Sequence, residues 1–317
     1  MGTAEVYSMG RVIVDLYANE IQTPLRNVRS FQKYLGGSAG NTAVGLARLG
    51  AKAGLISRVG NDEFGTFLSE KLREEGVDTG MVKTDPRYPT GLAFAALFPP
   101  ADSDVLFYRK PCADAHVSLE DIDFDALGKS RVLTVSCTVL SQSPGREATL
   151  AALEANRASG GLNVLDLDWR PMFWSGEEEA RVYYRAALRM ADVVLANEPE
   201  LAFAGQSDQP AESARVLRSL GVTEVVAKRG GDGVLYYGEE GEFRVPPVSV
   251  EVLNTLGAGD GFGAAYTYGL LQGWPARKRV EFAATAGAIV VSRHSCSEAM
   301  PTRSEVEEIM GGSAQRE

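Results

Sequence analysis

The sequence predicts an α/β fold with a mostly parallel central sheet, helices on both of its faces, and a small strand-rich excursion near the N-terminus. Three observations lead there. From Arg131 onward, short apolar runs alternate with amphipathic stretches of helical period, the pattern of parallel strands joined by crossover helices. Residues 28–35, 91–97 and 105–110 instead alternate in polarity and carry aromatics, as strands outside a parallel sheet do. No internal repeat, low-complexity stretch or Pro/Ser-rich linker divides the 317 residues, so a single domain is expected.

Taken in order, the first strand is expected over residues 6–14, an apolar run ending at Asp15. A helix over 41–49, a strand over 54–59 and a helix over 62–75 follow. Asp62 offers an N-cap to the last of these and Gly76 its stop. Strands over 132–136, 162–167 and 193–195 then alternate with helices over 144–159, 177–190 and 211–220. A strand over 225–228 turns through Arg229-Gly230-Gly231-Asp232 into another over 233–237. Helices over 257–271, 275–292 and about 303–310 close the chain.

Composition bounds the function. Hydrophobic residues are 44% and charged residues 23% of the chain, with a net charge of −10. The acidic balance and the scatter of Arg and Lys argue against a nucleic-acid partner; the densest basic run, Arg277-Lys278-Arg279, suits a solvated helix face. No apolar run approaches the roughly 18 residues of a membrane span. The start of the chain shows neither a basic leader nor an apolar signal, and three cysteines are too few and scattered for a disulfide framework. A cytoplasmic protein without membrane attachment is expected.

The segment Asn254-Thr255-Leu256-Gly257-Ala258-Gly259-Asp260-Gly261-Phe262-Gly263-Ala264 carries the most chemistry. A glycine-rich turn opening a helix presents amides that the helix cannot satisfy, and its dipole favours an anion there. Asp260, expected to stay ionised in the first turn, could accept a proton from a hydroxyl aligned on a phosphate. The same residues could be a flexible loop with a capping Asp. They also match G-x-G-x-x-A, but no strand precedes them and a helix follows, so a dinucleotide fingerprint does not fit. A P-loop fails as well, because Asp123 stands where Gly128-Lys129-Ser130 would need its first glycine. Gly36-Gly37-Ser38-Ala39-Gly40-Asn41 opens an earlier helix, either as a tight turn or as a ligand loop beside Asp15.

Together, the early Gly-Gly-x-x-x-Asn and the late Gly-Ala-Gly-Asp resemble the two signatures of ribokinase-like (PfkB) carbohydrate kinases, with a resemblance running from residue 6 to about 301. It implies one ribokinase-like kinase domain over 1–317, with lid segments at about 15–35 and 88–112 that often also make a dimer interface. A homodimer or higher homo-oligomer follows from that. The resemblance makes Asp260 the base and Gly257, Ala258 and Gly259 the anion hole. Asp15, Gly36, Gly37 and Asn41 would hold substrate hydroxyls. Asn197-Glu198-Pro199-Glu200 resembles an Asn-x-x-Glu element linked to phosphate and Mg²⁺, with Glu200 acting indirectly on the metal. Lys228, Gly230, Gly231 and Gly233 would line the nucleotide, as would Gly257 and Gly259. ATP and Mg²⁺ are the implied cofactors. Asn254 and Leu256 stand where many relatives carry an Asp–Thr pair that helps bind a monovalent cation, which weakens the case for K⁺.

For the substrate, Asp166-Leu167-Asp168-Trp169-Arg170-Pro171-Met172-Phe173-Trp174 and Phe107-Tyr108-Arg109 resemble segments of members acting on sugar acids. Arg109 and Arg170 are expected to converge on a carboxylate, whose two oxygens match the guanidinium fork; surface ion pairs are the alternative reading. Residues 34–38 and 290–302 are similar to members acting on 5-dehydro-2-deoxy-D-gluconate, which is the expected substrate. 2-Keto-3-deoxygluconate comes next, then fructose or ribose. A sugar- or nucleotide-binding regulator on the same scaffold is the non-enzymatic alternative.

Overall fold

The computed structural model describes residues 4–100 and 103–314. Its strands are β1 (Val6–Met9), β2 (Ile13–Ala18), β3 (Phe31–Gly36), β4 (Ala53–Gly60), β5 (Asp78–Asp85), β6 (Leu92–Ala96) and β7 (Asp104–Tyr108). They continue with β8 (Val132–Ser136), β9 (Leu162–Asp166), β10 (Val193–Asn197), β11 (Glu224–Lys228), β12 (Val234–Gly238) and β13 (Gly241–Val245). The helices are α1 (Ser38–Arg48), α2 (Glu63–Glu74), α3 (Phe124–Leu127), α4 (Gly145–Ala158) and α5 (Glu177–Leu188). After them come α6 (Glu198–Gly205), α7 (Pro210–Ser219), α8 (Ala258–Leu271), α9 (Ala276–Val291) and α10 (Arg303–Ala314).

The large sheet runs β13-β12-β11-β10-β9-β8-β1-β4-β5. Every pairing from β11 to β5 is parallel, and β12 and β13 add an antiparallel edge. Its central strands bury both faces because successive apolar residues feed two cores. Leu133, Leu165, Val194 and Val225 pack with Leu153 of α4 and Tyr184 of α5. Their neighbours Val132, Val164, Val193 and Val226 pack instead with Phe262 and Tyr266 of α8 and Phe282 of α9. Among the described residues, no helix is long and apolar enough to cross a membrane.

A second sheet, β3-β2-β6-β7, is antiparallel except for the parallel β2–β6 pair. One face packs Tyr17, Tyr34, Ala95 and Leu97 against Cys296, and the other leaves Phe31, Leu106 and Tyr108 exposed.

The expected single strand over residues 6–14 is two strands in different sheets. Gly10, with φ +139°, breaks the run, and the chain leaves the large sheet there. The apolar residues on both sides read as one run, and the Gly10-Arg11 pair inside it is the local mark of the break. Strands β5 and β13 also escape sequence reading, since they are edge strands with largely exposed polar residues. Asp62 caps α2 as expected, its side chain accepting the Gly65 N–H at 2.8 Å, and Gly76 follows the helix at φ +78°.

Candidate active site

Parallel register brings the carboxyl ends of the strands into line: Ser136 of β8 lies opposite Asp166 of β9, and Asn197 of β10 opposite Lys228 of β11. Onto this edge comes the N-terminus of α8. Gly257 caps it in the left-handed region at φ +81°, where a Cβ would lie 3.0 Å from the Cys296 side chain. The first hydrogen bond of the helix runs from Gly261 N–H to the Gly257 carbonyl at 2.9 Å. The amides of Ala258, Gly259 and Asp260 therefore precede the ladder, at the positive end of the dipole. Lys228 Nζ stands 3.3 Å from where a Gly259 Cβ would be and 3.0 Å from Asp166 Oδ2. Amides and an ammonium thus share one small space, a setting that suits phosphate.

Asp260 sits in the first turn of α8, where its Oδ2 accepts a hydrogen bond from Asn41 Nδ2 of α1 at 2.7 Å. The two glycine-rich motifs, 219 residues apart in sequence, meet in this contact. Asn41 Oδ1 is buried without a partner. The expectation of a fully ionised Asp260 is corrected: burial, reinforced by the Asp168 and Asp166 charges, outweighs Asn41 and Arg11 and pushes it up to about 7. Such a group holds and yields a proton near neutrality, as a general base must.

Asp15 does not end a strand of the large sheet. It lies within β2 of the small one, and Gly36 lets it pack so closely that a Cβ there would fall 2.0 Å from its Cγ. Burial pushes Asp15 up to about 7 despite the opposing Arg11 charge. Asn197 and Glu200 form a reciprocal cap on α6, each side chain accepting the other's backbone N–H at 2.8 Å. Glu200 is buried, and that burial, only partly offset by Lys228, pushes it up to about 7. Gly230 and Gly231 border open space in the turn between β11 and β12, whereas a Cβ on Gly233 would meet Val245 O at 2.2 Å. The first two leave room for a ligand, and the third is required by packing against β13.

Arg109 and Arg170 are expected to share one carboxylate; in the structure their close ion pairs are with different protein carboxylates. Arg109 is 4% exposed and is committed to Asp114, with Nε 2.7 Å and Nη2 2.5 Å from Asp114 Oδ2, while its guanidinium lies over Phe173. Phe107 packs edge-on against the same ring. Arg170 is freer: its Nε is 3.0 Å from Asp168 Oδ1 and its side chain is 42% exposed. Arg11, which sequence reading left inside a strand, flanks the other oxygen of Asp168 at 3.3 Å. Ser136 Oγ donates to that same oxygen at 3.0 Å. Although burial alone would raise it, the Arg170 and Arg11 charges hold Asp168 far below the usual carboxylate range, on a backbone at φ +34°. Strain of this kind concentrates at functional sites. The segments around Tyr34 and His294 do meet, through Tyr34 Oη and His294 Nδ1 at 3.3 Å and through Ser297 Oγ donating to Leu35 O at 2.7 Å.

Residues 3–303 match the pfkB family carbohydrate kinase. The chain belongs to that family. This kinase is 40% identical to the 5-dehydro-2-deoxygluconokinase of Geobacillus kaustophilus (strain HTA426), over 98% of this chain and 95% of that protein. It is 38% identical to the 5-dehydro-2-deoxygluconokinase of Shouchella clausii (strain KSM-K16), over 96% and 95%. A putative ribokinase II from E. coli, solved in complex with ATP and Mg²⁺, superposes on the kinase with a TM-score of 0.91 at 26% identity, covering 98% of this chain and 99% of that one. The fructokinase from Vibrio cholerae O395, solved with fructose, ADP and calcium, gives 0.87 at 27% identity over 97% and 99%. The ribokinase-like fold and the carbohydrate kinase activity stand on these matches.

Proposed function

We propose that the kinase transfers the γ-phosphoryl group of ATP to the terminal hydroxyl of 5-dehydro-2-deoxy-D-gluconate. One observation carries the chemistry: Asp260 lies among the α8 amides and is held by Asn41. In this reading Asp260 accepts the hydroxyl proton, the hydroxyl oxygen bonds to the γ-phosphorus, and the bond to the β–γ bridging oxygen breaks, releasing ADP. The amides of Ala258 and Gly259 and the Lys228 ammonium receive the charge spread over the transferring group. Asp15 and the free Asn41 Oδ1 take substrate hydroxyls. Gly230 and Gly231 border the nucleotide.

Magnesium bound with ATP supplies charge neutralisation at the β- and γ-phosphates. The residues fit it, because Asp166 and Glu200 bring two carboxylates against the single ammonium of Lys228. Glu200 would act indirectly, one of its oxygens being occupied by the Asn197 N–H. Potassium has little effect in this reading: Asn254 is neutral and tied into its own loop, accepting the Leu256 N–H at 3.0 Å and donating to His294 O at 3.3 Å.

The small sheet serves as the lid of a single kinase domain. Its exposed groove of Leu25, Phe31, Leu92, Phe94, Leu106 and Tyr108 is the surface through which two copies associate. A cytoplasmic site of action, where ATP is available, completes the proposal. The named relatives and the Asp168–Arg170 pair favour a sugar acid over a neutral sugar. The test is kcat/KM across 5-dehydro-2-deoxygluconate, 2-keto-3-deoxygluconate, fructose and ribose. The first should exceed the neutral sugars by a large factor, and fructose as the better substrate would overturn the assignment.

A further inference from the structure

One buried cation has no task in the chemistry above. Arg11 lies on the link between β1 and β2 and is 6% exposed. A guanidinium carries five N–H donors in a rigid fork. Here Nη2 reaches Ser38 Oγ at 3.4 Å and Asp168 Oδ2 at 3.3 Å, both longer than the roughly 2.7–2.9 Å of a well-made charge-assisted bond. Its Nε is buried with no hydrogen-bond partner among the described residues. Arg58 is a contrast, with Nε and Nη2 contacting Asp121 at 2.6 and 3.0 Å and Nη1 contacting Asp85 at 2.9 Å; Arg146 also leaves its Nε unmet, but its Nη1 and Nη2 meet Glu179 and the Ser141 carbonyl at 2.9 and 2.8 Å. An unmet buried donor is costly, and a ligand that meets it gains what the protein forgoes.

The charges point the same way. Among the described residues, Asp168 is the one carboxylate that pairs with both Arg11 and Arg170, so two guanidinium groups share one counter-ion. Asp15 and Asp260 also face Arg11, but burial pushes both up to about 7, so neither is a firm partner. The backbone beneath Arg11 is fixed. Gly40 N–H donates to its carbonyl at 3.2 Å, and Gly37, at φ +87°, approaches so closely that a Cβ would lie 2.6 Å from that oxygen. The Phe107 and Phe173 rings, centred 5.2 and 6.0 Å from the Arg11 guanidinium carbon, wall the group from water and strengthen its pull on an anion.

We infer that Arg11 determines substrate specificity: its guanidinium, together with that of Arg170, binds the carboxylate of the sugar acid, while Arg109 holds the lid to Asp114. This deepens the sugar-acid reading and rests on it. The experiment measures kcat and KM for wild type, Arg11→Met and Arg11→Lys on 5-dehydro-2-deoxygluconate and on fructose, with KM for ATP and the melting temperature as controls. Arg11→Met should raise KM for the acid by about 10- to 100-fold, the loss expected for one hydrogen bond to a charged group. Its kcat should change less, KM for ATP should stay near wild type, and fructose should lose far less than the acid, through the Asp15 and Asp260 that Arg11 also faces. Lysine should recover part of the loss, because it keeps the charge without the fork. If Arg11→Met fails to fold, Arg11→Lys decides on the same ratio of acid to fructose. A wild type that prefers the acid, with Arg11 variants that leave the acid KM unchanged or weaken both substrates equally, overturns the role of Arg11 and leaves the sugar-acid reading standing. A wild type that prefers fructose overturns both.

Discussion

The proposed phosphate side and the proposed substrate side of the site are built on different plans. On the phosphate side, Gly257, Ala258, Gly259 and Asp260 are contiguous and lie on a helix terminus, with Lys228 and Asp166 ranked beside them by parallel strand register. On the substrate side, Arg11, Asp15 and Asn41 come from a link, a strand and a helix, and Asp168 and Arg170 from the link after β9. The second group also leaves buried polar atoms unmet, Arg11 Nε and Asn41 Oδ1 among them. A common reactant such as ATP can be served by regular secondary structure. A particular sugar has to be matched by side chains placed one at a time.

That contrast can be broken or sharpened by experiment. The largest effect should come from the metal: excess EDTA should abolish transfer, and undiminished turnover would mean that Lys228 and the amides alone suffice for the phosphates. Asp260→Asn should slow turnover by about 10²–10⁴-fold while nucleotide binding persists; near-normal turnover of the purified variant would remove Asp260 from the chemistry. Arg109→Ala should act on stability, costing about 3–5 kcal/mol because it strands the buried Asp114 carboxylate. Denaturant melts would show this, and a fully stable variant with a selective loss on sugar acids would restore the expectation that Arg109 faces the substrate. Arg170→Ala should lower kcat/KM for the acid by about 10- to 100-fold and leave fructose little changed, so an equal fall on both would argue against a carboxylate contact.

The smallest effect concerns pH. Asp15, Asp260 and Glu200 are each raised to about 7 in the fold, whereas in the unfolded chain they titrate near 4. The folded state therefore holds protons that the unfolded state has lost. The resulting stability is fully present below the unfolded values and fades as pH rises through about 7. The ligand-free protein should melt lower at pH 8 than at pH 5.5, and Asp260→Asn should narrow that gap by about 2–4 °C. A gap unchanged in the variant would mean that Asp260 titrates at its ordinary value.

What could be read from the sequence follows the same division. The parallel sheet was legible because its strands bury both faces and so read as unbroken apolar runs. The α8 terminus was legible because its glycines and Asp260 are adjacent. Arg11 was not, since its role depends on a chain break at Gly10 inside what reads as one strand. Arg109 was legible as an arginine in the right segment, but its partner Asp114, five residues on, decides what it does. β5 was missed because its edge position buries only Met81 and Asp85, too few apolar residues to show a strand period.

The short connections between the two sheets have a mechanical consequence. β1 ends at Met9 and β2 begins at Ile13, while β3 ends at Gly36 and α1 begins at Ser38. Two of the links into the small sheet are thus only a few bonds long, and they touch where Gly37 meets the Arg11 carbonyl. Any swing of the small sheet must pivot close to that point, because so little chain cannot absorb rotation elsewhere. If the small sheet is the proposed lid and Arg11 the proposed carboxylate ligand, fulcrum and anion site are the same residue, and a charge arriving at Arg11 would pull directly on the axle about which the cover turns.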